Sequence, residues 1–240
     1  MSTSFEKYSD ILLDAFIENP KHQEIAQKKV EILEDLMDHH GLDPDSVLFI
    51  GFSPGILKIN AKHISITEVS NDVVEYLKQQ AIKFDYIERD QILDKFSVVV
   101  AVDEYLTFAD NDEEQRDLVD FISKVTNGFF ITTLRDYKNQ DFRDREFSQP
   151  IMIRSNTSKR IYLEHYDFDQ QDRNSCSGTS YCISDNDVTV IGPFARRAMY
   201  FKQLAKFSLD AGARNFLVHK NLMHKSIIKK NYEHIITIRF

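Results

Sequence analysis

Two glycines and one carboxylate stand where short apolar runs end in the first third of the chain. Gly51 follows the run 47–50, and Gly55 comes four residues later, beyond Ser53. Glu68 ends a second segment, in which apolar and polar residues alternate. Glycine lets the backbone approach a ligand where a Cβ would clash, and a carboxylate accepts hydrogen bonds from hydroxyl groups. This pattern suits a nucleoside-bearing ligand that lies across the carboxyl ends of parallel strands.

Further polar side chains follow the next two apolar runs. Asp90 and Gln91 come shortly after the run 84–87, and Asp103 and Glu104 come directly after the run 96–102. An isolated acid at the end of a strand is often a helix cap or a solvated carboxylate. The joint spacing of these acids with Glu68 favours ligand binding.

The elements that must position these residues alternate regularly. Apolar runs typical of strands are separated by amphipathic segments, such as the one that carries Leu118, Phe121, Ile122 and Val125. The run 96–102 is nearly all apolar and β-branched, as in a central strand that is buried on both faces. Asn127 and Gly128 mark the predicted end of the helix that contains Leu118. The alternation predicts an α/β fold with a doubly wound, mostly parallel sheet.

The same pattern divides the chain into three parts. Residues 1–44 are expected to form N-terminal helices, over 4–18 and 22–40. Residues 45–137 and 194–240 are expected to form a Rossmann-like core, which resumes with a helix over 195–211. Residues 138–193 lose helical periodicity, and we interpret them as a β-rich insertion after the fifth strand, or a substrate lid.

In this order and spacing, the motifs resemble those of the class I S-adenosylmethionine-dependent methyltransferases. VLFIGFSPG resembles the first motif of that family, VVVAVDEYL resembles the fourth-strand motif, and GFFITTLRDY resembles the fifth strand. The resemblance implies a Rossmann-like fold and S-adenosylmethionine as the cofactor. It covers roughly residues 22–137 and, more loosely, 195–240.

The resemblance also implies roles for the residues already singled out. Glu68 would accept hydrogen bonds from the ribose hydroxyls, and Asp90 would accept one from the adenine amine, with Gln91 beside the ring. The turn at Gly51, Ser53 and Gly55 would hold the amino acid and ribose part. Asp103 and Glu104 would reach towards the methionine end or the acceptor.

Four polar side chains are expected near a methyl acceptor: Tyr105, Asp136, Tyr137 and His165. Methyl transfer needs a general base only when the acceptor is protonated at neutral pH. The fourth strand does not end in the Pro-Pro-aromatic motif that is used on exocyclic base amines. We therefore expect O- or N-methylation of a small or medium-sized molecule.

The first motif departs from the family at Phe49, where an acid often helps to hold the methionine end. This departure keeps open a catalytically inactive, methyltransferase-like binding module. A nicotinamide-dependent oxidoreductase is another alternative, although the turn Gly51–Gly55 lacks the G-x-G-x-x-G pattern.

Charge and composition set the remaining expectations. The formal net charge of −8 argues against a surface that grips nucleic acid throughout, which favours a small-molecule substrate. A basic stretch near the end can bind a nucleic acid or another phosphate-bearing partner; it carries Lys220, Lys225, Lys229 and Lys230. No His, Cys, Asp or Glu spacing predicts a metal site. The chain lacks a secretory signal and an apolar run long enough for a membrane span, so we expect a cytoplasmic protein. Self-association into a homo-oligomer is left open.

Overall fold

The fold is built around a seven-stranded sheet in which only one strand runs against the others. The computed structural model describes residues 9–11, 13, 17, 20–42, 44–53, 56, 59–101, 105–135, 147, 150–154, 159–169, 171–172, 174–219 and 233–240. The strands of this sheet are β1 (Ser46–Ile50), β2 (His63–Thr67), β3 (Asp85–Tyr86), β4 (Phe96–Ala101), β5 (Thr126–Arg135), β10 (Asn215–His219) and β11 (Glu233–Arg239). Their order is β10-β11-β5-β4-β1-β2-β3, and β11 is the antiparallel strand.

Helices cover both faces of the sheet. They are α1 (Pro20–His39), α2 (Asn71–Gln79), α3 (Asp112–Val125) and α4 (Phe201–Asp210). Ser70 caps α2 and Asn111 caps α3, each accepting a hydrogen bond from a backbone N–H of the first turn. One buried cluster joins α1 and α2 to the sheet, and another joins α3 and α4 to the opposite face. The predicted doubly wound architecture is therefore confirmed.

The central strands alternate their side chains between these two clusters. Val47 and Phe49 of β1 belong to the cluster with α1 and α2, whereas Leu48 and Ile50 belong to the cluster with α3 and α4. Both faces of β1 are therefore buried, which explains why its sequence is apolar without alternation. A strand of this kind fixes the position of the glycine turn that follows it.

The helix before β5 ends close to Asn127 and Gly128, as predicted, but these two residues already belong to the strand. α3 ends at Val125, and β5 begins at the next residue, so both residues lie inside a strand. A Cβ added to Gly128 would lie 2.2 Å from the carbonyl oxygen of Ser97 on β4. Glycine is needed there for close approach of two strands, at an irregularity in their pairing, and not for a turn.

The segment between β5 and α4 contains a second, antiparallel sheet, as the loss of helical periodicity predicted. Its strands, in spatial order, are β6 (Ile151–Arg154), β7 (Lys159–Phe168), β8 (Ser175–Ser184) and β9 (Val188–Arg197). β9 continues beyond residue 193, so the expected boundary between insertion and core falls inside a strand. The helix expected over 195–211 starts only at Phe201, because 195–197 belong to β9.

The N-terminal part is described incompletely. The helix expected over 22–40 corresponds to α1, which begins slightly earlier, at Pro20. Most of the helix expected over 4–18 lies outside the described residues, although 9–11, 13 and 17 are helical. Within the described part of the chain, no helix combines the length and the apolarity that a membrane crossing requires.

Candidate functional site

The strand order reverses between β1 and β4, and this reversal defines the candidate site. In open α/β sheets, ligands bind outside the carboxyl ends of the strands at such a switch point. β1 ends at Ile50 and runs into Gly51, whose φ of 77° is a left-handed conformation that favours glycine. The N–H of Gly51 donates to the carbonyl of Thr67 at 2.9 Å, which extends the β1–β2 pairing by one residue. The predicted glycine turn and Glu68 are thereby held side by side.

Glu68 is the most constrained polar residue at this edge. It follows β2, it is 7% exposed, and its φ of 55° places a non-glycine residue in the left-handed region. Its Oε1 accepts a hydrogen bond from the hydroxyl of Tyr105 and another from the guanidinium of Arg89, both at 3.0 Å. A buried carboxylate needs such partners to remain charged. A strained, buried and paired carboxylate is typical of a functional site.

Tyr105 links the two sides of the switch point. It belongs to a short 3-10 helix, Tyr105–Thr107, that follows β4, and its side chain is fully buried. Burial, and then the charge of Glu68, raise the pKa of Tyr105 well above its usual value, so the hydroxyl stays protonated and donates. Tyr105 was predicted to lie near the methyl acceptor. Its geometry instead suits a residue that positions Glu68.

Arg89 begins a second short 3-10 helix, Arg89–Gln91, beyond β3. Its guanidinium also lies over the ring of Phe121 on α3, 4.4 Å from the centroid, a favourable cation–π distance. Asp90 and Gln91 follow at the same edge of the sheet, and both are exposed. The structure therefore brings Gly51, Glu68 and these residues to one edge, as the sequence predicted.

The remaining predicted site residues divide into two groups. Ser53 is buried in the turn after Gly51. Gly55, Asp103, Glu104, Asp136 and Tyr137 lie outside the described residues.

His165 lies in β7, on the face of the insertion sheet that points away from the core. Its ring packs against Phe147, with centroids 4.9 Å apart. Its neighbours Glu164 and Tyr166 point to the other face, since successive side chains of a strand alternate. Glu164 is buried, and the hydroxyl of Tyr166 donates to it at 2.7 Å. This position does not support an acceptor-side role for His165, and it favours Glu164 and Tyr166.

Arg196 forms a buried ion pair within the insertion sheet and also connects this sheet to the segment after β4. Arg196 of β9 donates to Glu164 of β7 at 3.3 Å and to the hydroxyl of Thr107 at 3.1 Å. Its guanidinium also lies 3.6 Å from the ring centroid of Phe108. Thr107 is two residues from Tyr105, so the insertion is tied to the segment that holds Glu68. This contact argues for a docked sheet, and not for a lid that swings freely.

The sequence missed Glu164, Tyr166 and Arg196, although a signal was available. Strand alternation over 159–168 puts residues 162, 164 and 166 on one face, and Tyr162 is the apolar anchor of that face. The partnership of Glu164 with Arg196 spans 32 residues, and nothing local in the sequence indicates it.

The N-terminal segment also reaches the candidate site. The Oγ of Ser9 accepts a hydrogen bond from the N–H of Phe52 at 3.3 Å, directly after Gly51. The hydroxyl of Ser70, at the start of α2, donates to the carboxylate of Asp10. Asp10 thus adds a carboxylate near the turn after β1, the strand in which Phe49 stands where the family often has an acid. Phe49 itself is fully buried in the core with α1 and α2.

A cleft of about 760 Å³ lies elsewhere, between the starts of α3 and α4. Its lining includes Asp112, Arg116, Arg197 and Lys202, and none of the predicted site residues. Arg197 is already paired with Asp112 at 2.5 Å and with Asp172. We attach no function to this cleft, because it lies away from the switch point of the sheet and contains no predicted site residue. Among the described residues, no group of three or more His, Cys, Asp or Glu side chains could hold a metal ion.

No protein-family profile matches this sequence, and no curated protein matches it significantly. Solved structures nevertheless share its fold. An S-adenosylmethionine-dependent methyltransferase from Clostridium acetobutylicum has a TM-score of 0.71 at 12% identity, over 89% of this chain and 91% of that one. DesVI from Streptomyces venezuelae has a TM-score of 0.71 at 14% identity, over 96% and 97%. CalS10, an amino pentose methyltransferase from Micromonospora echinaspora, has a TM-score of 0.65 at 9% identity, over 88% and 90%.

These similarities span nearly the whole chain, including the antiparallel insertion. The chain therefore has the fold of the S-adenosylmethionine-dependent methyltransferases, which confirms the fold that the sequence motifs predicted. Sequence identities this low establish the fold alone. Cofactor, reaction and acceptor must be argued from the site.

Proposed function

We propose that this chain is an S-adenosylmethionine-dependent methyltransferase that acts on a small or medium-sized molecule by O- or N-methylation. The observation that carries the proposal is the position of Glu68, a buried carboxylate at the carboxyl end of β2, beside the switch point of the sheet. The cofactor supplies the methyl group on a sulfonium centre. The chain binds it, aligns the acceptor and excludes water.

The residues at the switch point fit the ribose end of the cofactor. A carboxylate has about four acceptor positions, so Glu68 can accept hydrogen bonds from ribose hydroxyls in addition to those from Tyr105 and Arg89. Arg89 favours the ionised form of Glu68, which strengthens those hydrogen bonds. The left-handed glycine at position 51 leaves room for close approach to the backbone. We keep Asp90 and Gln91 as proposed contacts to the adenine.

We further propose that Asp10 supplies the carboxylate that is missing at Phe49. Its neighbour Ser9 bonds to the backbone of the turn at Phe52, and Asp10 itself bonds to Ser70 at the start of α2. An acid in this place can attract the cationic amino group of the methionine end. The proposal does not rest on Gly55, Asp103 or Glu104, whose roles stay predictions.

On the acceptor side, we propose that the inner face of the insertion sheet contributes Glu164 and Tyr166. Arg196 bonds to Glu164 and to Thr107 in the segment after β4, and Tyr166 donates to Glu164. An amine must be neutral to attack the methyl carbon, and a nearby carboxylate can take its proton. Amino sugars are the first acceptors to test, because CalS10, whose fold is similar over 88% of this chain, is an amino pentose methyltransferase. Asp136 and Tyr137 remain proposed acceptor contacts.

Calorimetry with S-adenosylhomocysteine tests the cofactor site. We expect binding to the unaltered protein, and a loss of more than about tenfold for Glu68→Gln, because a charged acceptor is lost. Asp10→Asn should also weaken binding of S-adenosylmethionine, whereas Ser70→Ala should lower thermal stability more than affinity. The matched control is Glu75→Gln, which removes an exposed acid on α2 that pairs with Lys78 at the surface.

Three outcomes would overturn parts of the proposal. No response to either nucleoside would reject the cofactor, and binding of a reduced nicotinamide instead would favour the oxidoreductase alternative. Tight cofactor binding without methyl transfer to amino sugars, simple amines or hydroxylated acceptors would favour the inactive module.

A further inference from the structure

The face of the insertion sheet that points away from the core is apolar. Met152 is 61% exposed, Ile161 37%, Val188 53% and Val190 58%. The opposite face of the same sheet holds the buried Tyr162, Glu164 and Phe194. The exposed residues are therefore not part of the contact with the core, and they need another explanation.

The strand register arranges these side chains in rows. Met152, Ile161, Ile183 and Val188 are successive cross-strand partners on β6, β7, β8 and β9, so one apolar row crosses the whole sheet. Leu163, Tyr181 and Val190 form a second row beside it. Cross-strand partners lie on the same side of a sheet, so the seven side chains form one continuous patch. We call it the outer patch.

A solvated face of an antiparallel sheet normally carries polar residues that alternate with the core-facing apolar ones. The outer patch breaks this rule in all four strands. Single exposed apolar side chains need no explanation, whereas a contiguous patch on a soluble domain marks an interaction surface. A flat, two-row arrangement fits another sheet, since sheets pack face to face at about 10 Å with interdigitated side chains.

The charges at one end of the insertion sheet indicate which partner sheet packs on the outer patch. β7 starts with the exposed Lys159, and the neighbouring β8–β9 turn carries the exposed Asp185 and Asp187, so all three lie at the same end. In a dimer, two such sheets can face each other across a two-fold axis that runs parallel to the strands. This rotation reverses the order of the strands across the sheet, so β7 of one copy lies opposite β8 of the other. The equivalent ends of the strands stay on the same side of the dimer. Lys159 of each copy then lies opposite the acidic turn of the other. We propose that the outer patch is the dimer interface of this protein, filled by the same patch of a second copy.

The area of the interface determines how tightly the two copies are expected to associate. Three strands of ten residues and one of four, about 4.8 Å apart, give this face of the sheet an area of roughly 500 Å² per copy. This is below the ~800 Å² per partner of a standard interface. The dimer is therefore expected to dissociate on dilution, with a dissociation constant on the order of micromolar. The interface goes beyond the proposed function and does not depend on it.

Sedimentation velocity over a range of concentrations tests this dimer. We expect Val188→Lys and Val190→Lys each to raise the dissociation constant at least tenfold. The matched control is Leu209→Lys, which changes an equally exposed apolar residue on α4, at 62% exposure, and should leave the dimer unaltered. Lys159→Glu should weaken association, and adding Asp185→Lys to it should restore most of the loss, because the two charges are exchanged. Melting temperatures verify that each variant is folded.

Each other result contradicts the proposal. A monomer at all concentrations would mean that the outer patch is exposed, or covered by this chain or by another protein. A dimer that tolerates both lysine substitutions would place the interface elsewhere. A dimer that is lost with Val190→Lys but shows no rescue by the charge exchange would reject the two-fold arrangement described here.

Discussion

At the scale of single residues, the hydroxyl of Tyr105 decides how Glu68 is presented. Tyr105→Phe keeps the aromatic ring in the core and removes one donor from a buried carboxylate, a change that typically costs about 1–3 kcal/mol. We expect weaker binding of S-adenosylhomocysteine, by about tenfold, with an unchanged fold. Since the pKa of Tyr105 is raised well above its ordinary value, the affinity of the unaltered protein should show no break near pH 10. Calorimetry at several pH values measures both effects.

Tyr86→Phe is the matched control for this change. Its hydroxyl donates to Glu88 at 2.9 Å at the exposed end of β3, so affinity should stay within twofold of the unaltered value. An unaltered affinity for Tyr105→Phe would mean that the hydroxyl of Tyr105 is not needed to position Glu68. A full loss of turnover with normal affinity would instead support the predicted role of Tyr105 near the methyl acceptor.

The residues whose positions the sequence predicted are those fixed by their own strand. Gly51 and Glu68 follow apolar runs directly, so the end of each strand places them. Arg89, Ser9 and Arg196 contact the site from elements distant in sequence, and no local spacing indicates these contacts. Their roles are set by tertiary packing, which is what a single sequence leaves undetermined.

At the scale of elements, regular alternation predicted the core, and departures from it caused the errors. β5 was expected to start after Asn127 and Gly128, whereas the strand already includes both residues. The close approach of Ser97 explains that glycine, and this contact lies between two strands. The end of the insertion was also misplaced, because β9 continues to Arg197 and only three residues separate it from the start of α4.

The docking of the insertion sheet on the core gives a prediction at this scale. Arg196→Met leaves Glu164 buried without its cation, and breaking a buried ion pair from one side typically costs about 3–5 kcal/mol. We expect a large loss in the free energy of unfolding. The double variant Arg196→Met with Glu164→Leu should regain much of this loss, since no charge is then buried. Urea unfolding of the two single variants and the double variant measures the coupling.

A surface pair provides the comparison for this cycle. Glu75→Ala removes the contact between Glu75 and Lys78 on α2, where both side chains are well exposed, and should cost less than about 1 kcal/mol. Equal losses for the surface pair and for Arg196→Met would contradict a docked insertion. No recovery in the double variant would mean that the loss of stability comes mainly from the contacts of Arg196 with Thr107 and Phe108.

At the scale of the whole molecule, a cluster of histidines connects the end of α1 to strands β5 and β10 of the central sheet. The ring of His40 lies 5.0 Å from that of Phe129 on β5 and 6.3 Å from that of His219 on β10. Burial, and then the nearby His39, lower the pKa of His40. Burial, and then His40 and His39, lower the pKa of His219. The fold therefore favours neutral rings at this junction.

These lowered pKa values make stability depend on pH in a defined direction. Between the lowered pKa values and the unfolded value of about 6.5, the unfolded chain binds more protons than the native one, so the free energy of unfolding falls as pH decreases. We expect a plateau above about pH 7 and a decline below about pH 6.5. The double variant His40→Gln with His219→Gln should flatten this decline, whereas His63→Gln, which changes an exposed ring at the start of β2, should not. Urea midpoints at pH 5.5, 6.5 and 7.5 measure the slope, and an equally steep decline in the double variant would assign the pH dependence to other groups.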